Sequence, residues 1–235
     1  MANMASFKAM LFDLDGTLAD TFPDLVLALE ESFRQAGRIG PDESLSIDRL
    51  RPFVSKGARS MVVAAFESEP APDPDIIESL HDRFLALYLE GIARKTRLYA
   101  GIDPLLEWLE ERGLIWGVVT NKLLDPSLRL LAALGLDRRA ACIVGGDSAA
   151  RAKPHPDPML LACERISILP EDIVFVGDAR TDIEAGRSVG ALTVSAGWGY
   201  IDPADPPSAW GADIHADSPH ELLDRAMRER FAPHA

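Results

Sequence analysis

Lys8-Ala-Met-Leu-Phe-Asp-Leu-Asp-Gly-Thr17 is an apolar run that stops abruptly at two carboxylates, a glycine and a hydroxyl. Ala9 to Phe12 reads as a buried strand of a parallel sheet, and Gly16 bounds it with a permissive backbone. Asp13 and Asp15 then sit at the C-terminal edge of that strand, which is where ligands bind in open α/β sheets. Side chains two apart on a strand point the same way, so the pair is expected to converge on one small volume. Two anions held that close need a cation, a shared proton or both. The alternative is a plain acidic turn, but the pattern arises by chance at only roughly 10⁻⁵ per position.

Working outward, the periodicity turns helical after Thr17 and stays so through residue 95. Pro23 suits a first helical turn, and Leu25, Leu29 and Phe33 recur every four residues until Gly37. Ile47 to Phe66 reads as a second helical stretch, broken near Ser55 to Gly57. Glu69 to Asp75 is a proline-rich connection, and Ile76, Ile77, Leu80, Phe84, Leu87 and Tyr88 mark a longer helix beyond it. No strand-like run appears here. A helical domain over 19–95 is therefore expected as an insertion into an α/β core made of 1–18 and 96–235.

From Tyr99 onward helices and strands alternate. Helices are expected around Leu105, Leu131, Leu161 and Ile183, and strands over Leu114 to Thr120, Ala141 to Val144, Ile173 to Val176 and Leu192 to Ser195. Such alternation implies a Rossmann-like parallel sheet with helices on both faces. Three further clusters fall at strand ends: Thr120-Asn121, Lys153 in Lys-Pro-His-Pro-Asp-Pro, and Gly177-Asp178 with Asp182 four residues on. In a parallel sheet these ends share one edge, so a hydroxyl, an ammonium and four carboxylates can meet in one cleft.

Those groups suit phosphoryl transfer. A carboxylate such as Asp13 can attack phosphorus to form an acyl phosphate that water then hydrolyses. Asp15 could protonate the leaving oxygen and then deprotonate the water. Mg²⁺ takes one or two carboxylates with water and phosphate oxygens, which fits Asp13, Asp178 and the Asp15 main-chain carbonyl, with Asp182 placed to orient water or Lys153. Thr120 would donate its hydroxyl and Asn121 a backbone or amide N–H to phosphate oxygens, and Lys153 would supply charge. Singly, a strand-closing Thr is a turn former and Gly-Asp-x-x-x-Asp a helix start. Four such signals in order at strand ends carry far more weight.

Across 235 residues the formal net charge is −13 with no basic stripe, so nucleic acid and anionic membranes are poor partners. No secretory leader or bilayer-length apolar segment is apparent, and a cytoplasmic location is expected. Cys142 and Cys163 are the only cysteines and read as reduced core residues.

In their order and spacing these motifs resemble those of the haloacid dehalogenase superfamily, in which Asp-x-Asp-Gly-Thr, a strand-end Thr or Ser, a Lys and Gly-Asp-x-x-x-Asp recur. The resemblance covers the whole chain. It implies Asp13 as nucleophile, Asp15 as acid and base, Thr120 and Lys153 as phosphate ligands, and Asp13, Asp15 and Asp178 around Mg²⁺ with Asp182 assisting. The acid at position 15 argues against a carbon–halogen substrate. Within the superfamily the chain looks first like the phosphoglycolate phosphatases and also like the N-acetylmuramic acid 6-phosphate phosphatases. Val54-Ser-Lys-Gly-Ala-Arg59 is similar to a cap specificity loop, with Lys56 where Gly-x-Gly is typical. Lys56, Gly57 and Arg59 are thus expected to meet substrate.

The expected partner is a small phosphate ester, and the chain is expected as a monomer or homodimer. A sugar phosphomutase or a phosphonatase with Lys56 as Schiff base shares these motifs. A non-turning-over phosphoacceptor switch also gathers acids, a Thr and a Lys on a sheet edge, but without the first-strand motif or a helical insertion.

Overall fold

A computed structural model describes residues 7–66 and 72–228. The opening apolar run forms β1 (Ala9–Phe12), buried throughout. The chain then turns tightly, with the Leu18 and Ala19 N–H groups both donating to the Leu14 carbonyl at 3.1 and 3.0 Å, and enters β2 (Ala19–Asp20). α1 (Phe22–Gln35) follows, with Pro23 in its first turn where the missing N–H does no harm. α2 (Ile47–Leu50) runs into a 3-10 turn, Arg51–Lys56, and Gly57 at φ 91° separates it from α3 (Ala58–Ala65). The expected break at 55–57 is thus where the helical stretch divides. Of the proline-rich connection at 69–75, residues 69–71 lie outside the described residues. Asp73 caps α4 (Pro74–Glu90) by accepting from the Asp75 N–H at 2.9 Å.

β3 (Arg97–Leu98) pairs antiparallel with β2. Then come α5 (Ile102–Glu111), β4 (Ile115–Val119), α6 (Leu124–Ala133), β5 (Ile143–Val144), α7 (Asp157–Ile166), β6 (Ile173–Gly177), α8 (Arg180–Val189), β7 (Leu192–Ala196), β8 (Ile214–Ala216) and α9 (Pro219–Arg228). Six strands make one parallel sheet in the order β5-β4-β1-β6-β7-β8. The chain builds outward from β1 to β5, then returns across β1 to start the other half at β6. Such a reversal opens a crevice at the carboxyl ends of the strands beside it, here β1 and β6.

Alternation along the central strands feeds two cores. Met10, Phe12, Val174 and Val176 enter one cluster, and Ala9, Leu11, Ile173 and Phe175 the other, as a period of two requires. A third cluster is built from α1, α3, α4 and their connections around Leu29, Leu50, Val62 and Phe84. Tyr200, from the loop after β7, packs into it. Phe84 is fully buried there, and truncating such a residue to alanine costs about 3–5 kcal/mol. The buried Asp24 of α1 ties this helical cluster to the strand leading out of it, accepting from Lys95 N, Thr96 N and Thr96 Oγ1 at 2.7 to 3.0 Å.

Two features differ from the sequence reading. Ala19–Asp20 and Arg97–Leu98 form a ribbon at the neck of the helical block, where no strand was expected, because two-residue strands carry no periodicity. β8 and α9 were not anticipated either, and β8 is a three-residue strand at the edge of the sheet. Among the described residues, no helix is long and apolar enough to cross a membrane. Cys142 and Cys163 are buried free thiols, and burial pushes the Cys142 thiol up to about 11.

Candidate active site

β1 hands Asp13 directly to the crevice: its N–H continues the ladder to Val176 O at 2.9 Å while its carboxylate leaves the sheet edge. Lys153 comes to it from the loop before α7. The ammonium lies 3.0 Å from Asp13 Oδ1, 2.7 Å from Asp182 Oδ1 and 2.7 Å from the Val119 carbonyl, so three N–H donors meet three oxygens. Burial works against the charge of Lys153, but Asp13 and Asp182 outweigh it and hold the ammonium protonated above its ordinary range.

Asp178 and Asp182 arrive from the end of β6 and the first turn of α8. Asp178 accepts from Thr17 Oγ1 at 3.1 Å and from Tyr200 N at 2.8 Å. Asp182 accepts from Ala179 N at 3.0 Å, as a residue near a helix N-terminus can. Glycines let the backbone close on both acids. A Cβ on Gly16, which sits at φ 86°, would lie 2.1 Å from Asp178 Oδ2, and one on Gly177 would lie 2.3 Å from Asp182 Cβ. Burial pushes the Asp178 carboxyl well above the usual carboxylate range, and Asp13 and Asp182 push the same way. Burial also pushes Asp182 up to about 6, against the pull of Lys153.

At the end of β4, Thr120 Oγ1 accepts from Lys122 N at 3.3 Å, which leaves its own proton to donate outward. Asn121 spends part of its side chain on the protein itself. Its amide clamps the Lys153 main chain, with Nδ2 donating to Lys153 O at 3.0 Å and Oδ1 accepting from Lys153 N at 2.9 Å. This clamp uses neither its backbone N–H nor the second hydrogen on Nδ2. The amide fixes the loop that carries Lys153.

Asp15 lines the same cavity as Asp13 but reaches it from beyond the end of the strand. The strand ends at Phe12, so alternation does not carry through to residue 15, and the carboxylate turns to Lys122, whose Nζ is 3.2 Å from both of its oxygens. Lys122 was missed by sequence reasoning, although a second lysine directly after Thr120-Asn121 on the same sheet edge is a visible signal. Thr17 and Tyr200, which hold Asp178, were missed as well.

The oxygens of Asp13, Asp178 and Asp182 lie within 4.8 Å of one another. Asp15 is outside this group, so its side chain is no part of the three-acid cluster and only its main-chain carbonyl remains as a metal donor. Four carboxylates face two ammonium groups, which leaves two negative charges in a largely buried crevice. A hard divalent cation with oxygen donors fits that set, and the raised Asp178 shows what burial of uncompensated charge does without one.

The crevice opens into a cavity of about 730 Å³ between the sheet edge and the helical block. Lys56, Gly57 and Arg59 line it, as expected, together with His81 and the apolar Met61 and Leu85. Lys56 Nζ is 2.7 Å from Asp202 Oδ2 and Arg59 Nε is 2.7 Å from Glu78 Oε1, both exposed pairs. Both cations thus line the cavity, and their carboxylate partners were not foreseen.

The sequence profile of the family described as haloacid dehalogenase-like hydrolase matches residues 10–196. The N-acetylmuramic acid 6-phosphate phosphatase of Pseudomonas aeruginosa is 44% identical over 218 residues, covering 92% of this chain and 93% of that protein. The phosphoglycolate phosphatase of Xanthomonas campestris pv. campestris is 37% identical, covering 93% and 96%. Among solved structures, a predicted phosphoglycolate phosphatase from Haemophilus somnus 129PT superposes with a TM-score of 0.82 at 29% identity, covering 94% of this chain and 98% of that one.

Proposed function

The chain belongs to the haloacid dehalogenase-like hydrolases, and we propose that within that family it is a Mg²⁺-dependent phosphomonoesterase working through an aspartyl phosphate on Asp13. Asp13 Oδ attacks phosphorus as the ester P–O bond breaks, and Asp15 gives its proton to the leaving oxygen. Water then attacks the same phosphorus, Asp15 takes its proton, and the Asp13–P bond breaks to release phosphate. Lys153 offsets the charge of Asp13 and of the transferring group, while Thr120 Oγ1 and the Asn121 N–H donate to its oxygens. Mg²⁺, held by Asp13, Asp178 and the Asp15 carbonyl, would neutralise phosphoryl charge. Asp182 holds Lys153 in place. Residues 19–95 act as a cap that excludes water from this chemistry.

For the substrate, we propose N-acetylmuramic acid 6-phosphate. The observation that carries this is the cavity: at about 730 Å³ it is far roomier than a two-carbon phospho-acid needs, and it combines apolar side chains with Lys56, Arg59 and His81. A sugar phosphate bearing an acetamido methyl and a lactyl carboxylate uses both kinds of wall, and the relative at 44% identity supports the choice. Phosphoglycolate is the second reading, favoured by the relative at 37% identity and by cations able to meet its carboxylate.

Phosphate release from N-acetylmuramic acid 6-phosphate, N-acetylglucosamine 6-phosphate and 2-phosphoglycolate, each with and without Mg²⁺, separates the two. The first reading expects the muramic ester to give the highest kcat/KM and the glucosamine ester, which lacks the lactyl carboxylate, to fall at least roughly 10-fold below it. A higher kcat/KM for 2-phosphoglycolate would reverse the order.

A further inference from the structure

Lys122 is a buried charge that the chemistry above leaves unused. Its side chain is 11% exposed and that of Asp15 17%. The ammonium stands 3.2 Å from both Asp15 oxygens, so it faces the two symmetrically and fixes how the carboxylate is turned. The lysine's own backbone is held on both sides, since its N–H donates to Thr120 Oγ1 at 3.3 Å and its carbonyl accepts from Gly146 N at 2.8 Å. The root of the side chain is therefore as fixed as the sheet edge it follows.

A third group completes the arrangement from across the cavity. The Tyr88 ring centroid is 4.4 Å from Lys122 Nζ, within range of a cation–π contact. Tyr88 lies near the end of α4 and is buried in the helical cluster with Leu80 and Phe84. Asp15, Lys122 and Tyr88 thus form a chain of contacts from the sheet edge to the helical block, and all three line the cavity. Without the ammonium, Asp15 would lose the charged partner that selects its rotamer.

We propose that Lys122 is the positioning residue for Asp15, and that Tyr88 makes this positioning depend on the helical block being seated over the crevice. The inference rests on the acid and base role of Asp15. Lys122 touches no reacting atom in it. Its effect is to keep one carboxylate rotamer aimed at the leaving oxygen and later at the attacking water, so its loss belongs in kcat and in the lifetime of the acyl phosphate, not in ester or cation binding.

The test is steady-state and single-turnover kinetics on Lys122→Met, Tyr88→Leu, Asp15→Asn and the Asp15→Asn/Lys122→Met pair, with folding checked by thermal unfolding. Lys122→Met is expected to lower kcat by about 10²-fold with KM and the half-saturating Mg²⁺ concentration nearly unchanged, and to raise the fraction of enzyme trapped as acyl phosphate. Tyr88→Leu, which keeps an apolar side chain and removes no charge, is expected to lower kcat by roughly 5- to 10-fold and carries the test if Lys122→Met does not fold. In the Asp15→Asn background, Lys122→Met should add nothing, because the two act as one unit. An inactive Asp15→Asn beside a Lys122→Met or Tyr88→Leu at the full rate, or losses that multiply in the pair, would overturn the positioning role alone. An Asp15→Asn enzyme at the full rate would instead remove the acid and base assignment on which it rests.

Discussion

The two walls of the cavity are built in opposite ways. On the sheet side, Asp13, Asp178, Asp182 and Lys153 are buried; Asp178, Asp182 and Lys153 are each held by at least two oxygens or N–H groups, and Asp13 is held by the buried Lys153 ammonium. On the helical side, Lys56 and Arg59 are about half exposed and each is held by one carboxylate, 23% and 53% exposed in turn. Buried groups with several partners keep one geometry, which charge stabilisation of a transition state needs. Exposed pairs contribute little to stability and exchange partners readily, which would suit a wall that takes up a substrate carboxylate. The proposed chemistry would thereby be separated from the choice of substrate.

That contrast is broken most directly at its strong end. Asp13→Asn should lower turnover by about 10⁴-fold or more while thermal unfolding shifts little, and a variant retaining a tenth of the rate would remove the sheet wall's claim to the chemistry. Next in size, Asp178→Asn should raise the half-saturating Mg²⁺ concentration by at least roughly 10- to 100-fold, measured as activity against added cation and by calorimetry on the substrate-free protein. An unchanged cation requirement would assign the metal elsewhere.

At the helical wall the expected effects are smaller and selective. Lys56→Ala and Arg59→Ala should each lower kcat/KM for a carboxylated ester by roughly 10-fold and leave a neutral phosphate ester within a factor of about two. Equal losses on both esters would make the two walls alike. Stability should fall by no more than about 1 kcal/mol in either variant, since exposed pairs contribute no more than this.

The smallest effect is on pH. Burial raises Asp178 and Asp182 in the cation-free protein, the latter to about 6, so folding favours their protonated forms. Stability from these groups is then greatest below the ordinary carboxylate range and is lost as pH rises through about 6. Mg²⁺ would compete with the proton on Asp178, so its affinity should rise with pH and adding it should offset part of the loss of stability. Unfolding midpoints from pH 4 to 8, with and without Mg²⁺, check both, and no gain in affinity with pH would contradict the shared site.

Much of the sheet wall is legible in the sequence because its residues stand where apolar runs end. The strand before Asp13, the strand before Thr120 and the strand before Asp178 each announce themselves, and a parallel sheet brings such ends together. What was not legible was the path of the chain past Phe12. The chain leaves the sheet there and folds back on the Leu14 carbonyl, so the Asp15 carboxylate answers to Lys122 rather than to Asp13. The clamp made by Asn121 was not legible for a related reason, since only the fold brings the backbone of Lys153 within reach of its amide. The β2–β3 ribbon and the link from Tyr200 to Asp178 join residues far apart in the chain through single contacts, and local periodicity holds no record of those.

The most direct test of the central claim is to mix the Asp15→Asn variant with substrate and Mg²⁺, quench in acid, and map the phosphoryl group by peptide mass spectrometry. Attack by the first strand's carboxylate predicts a phosphoryl group on the peptide bearing Asp13, absent when Asp13 is also replaced by Asn. An unmodified Asp13 in a variant that still cleaves the ester, or a phosphoryl group found on another residue, would contradict it.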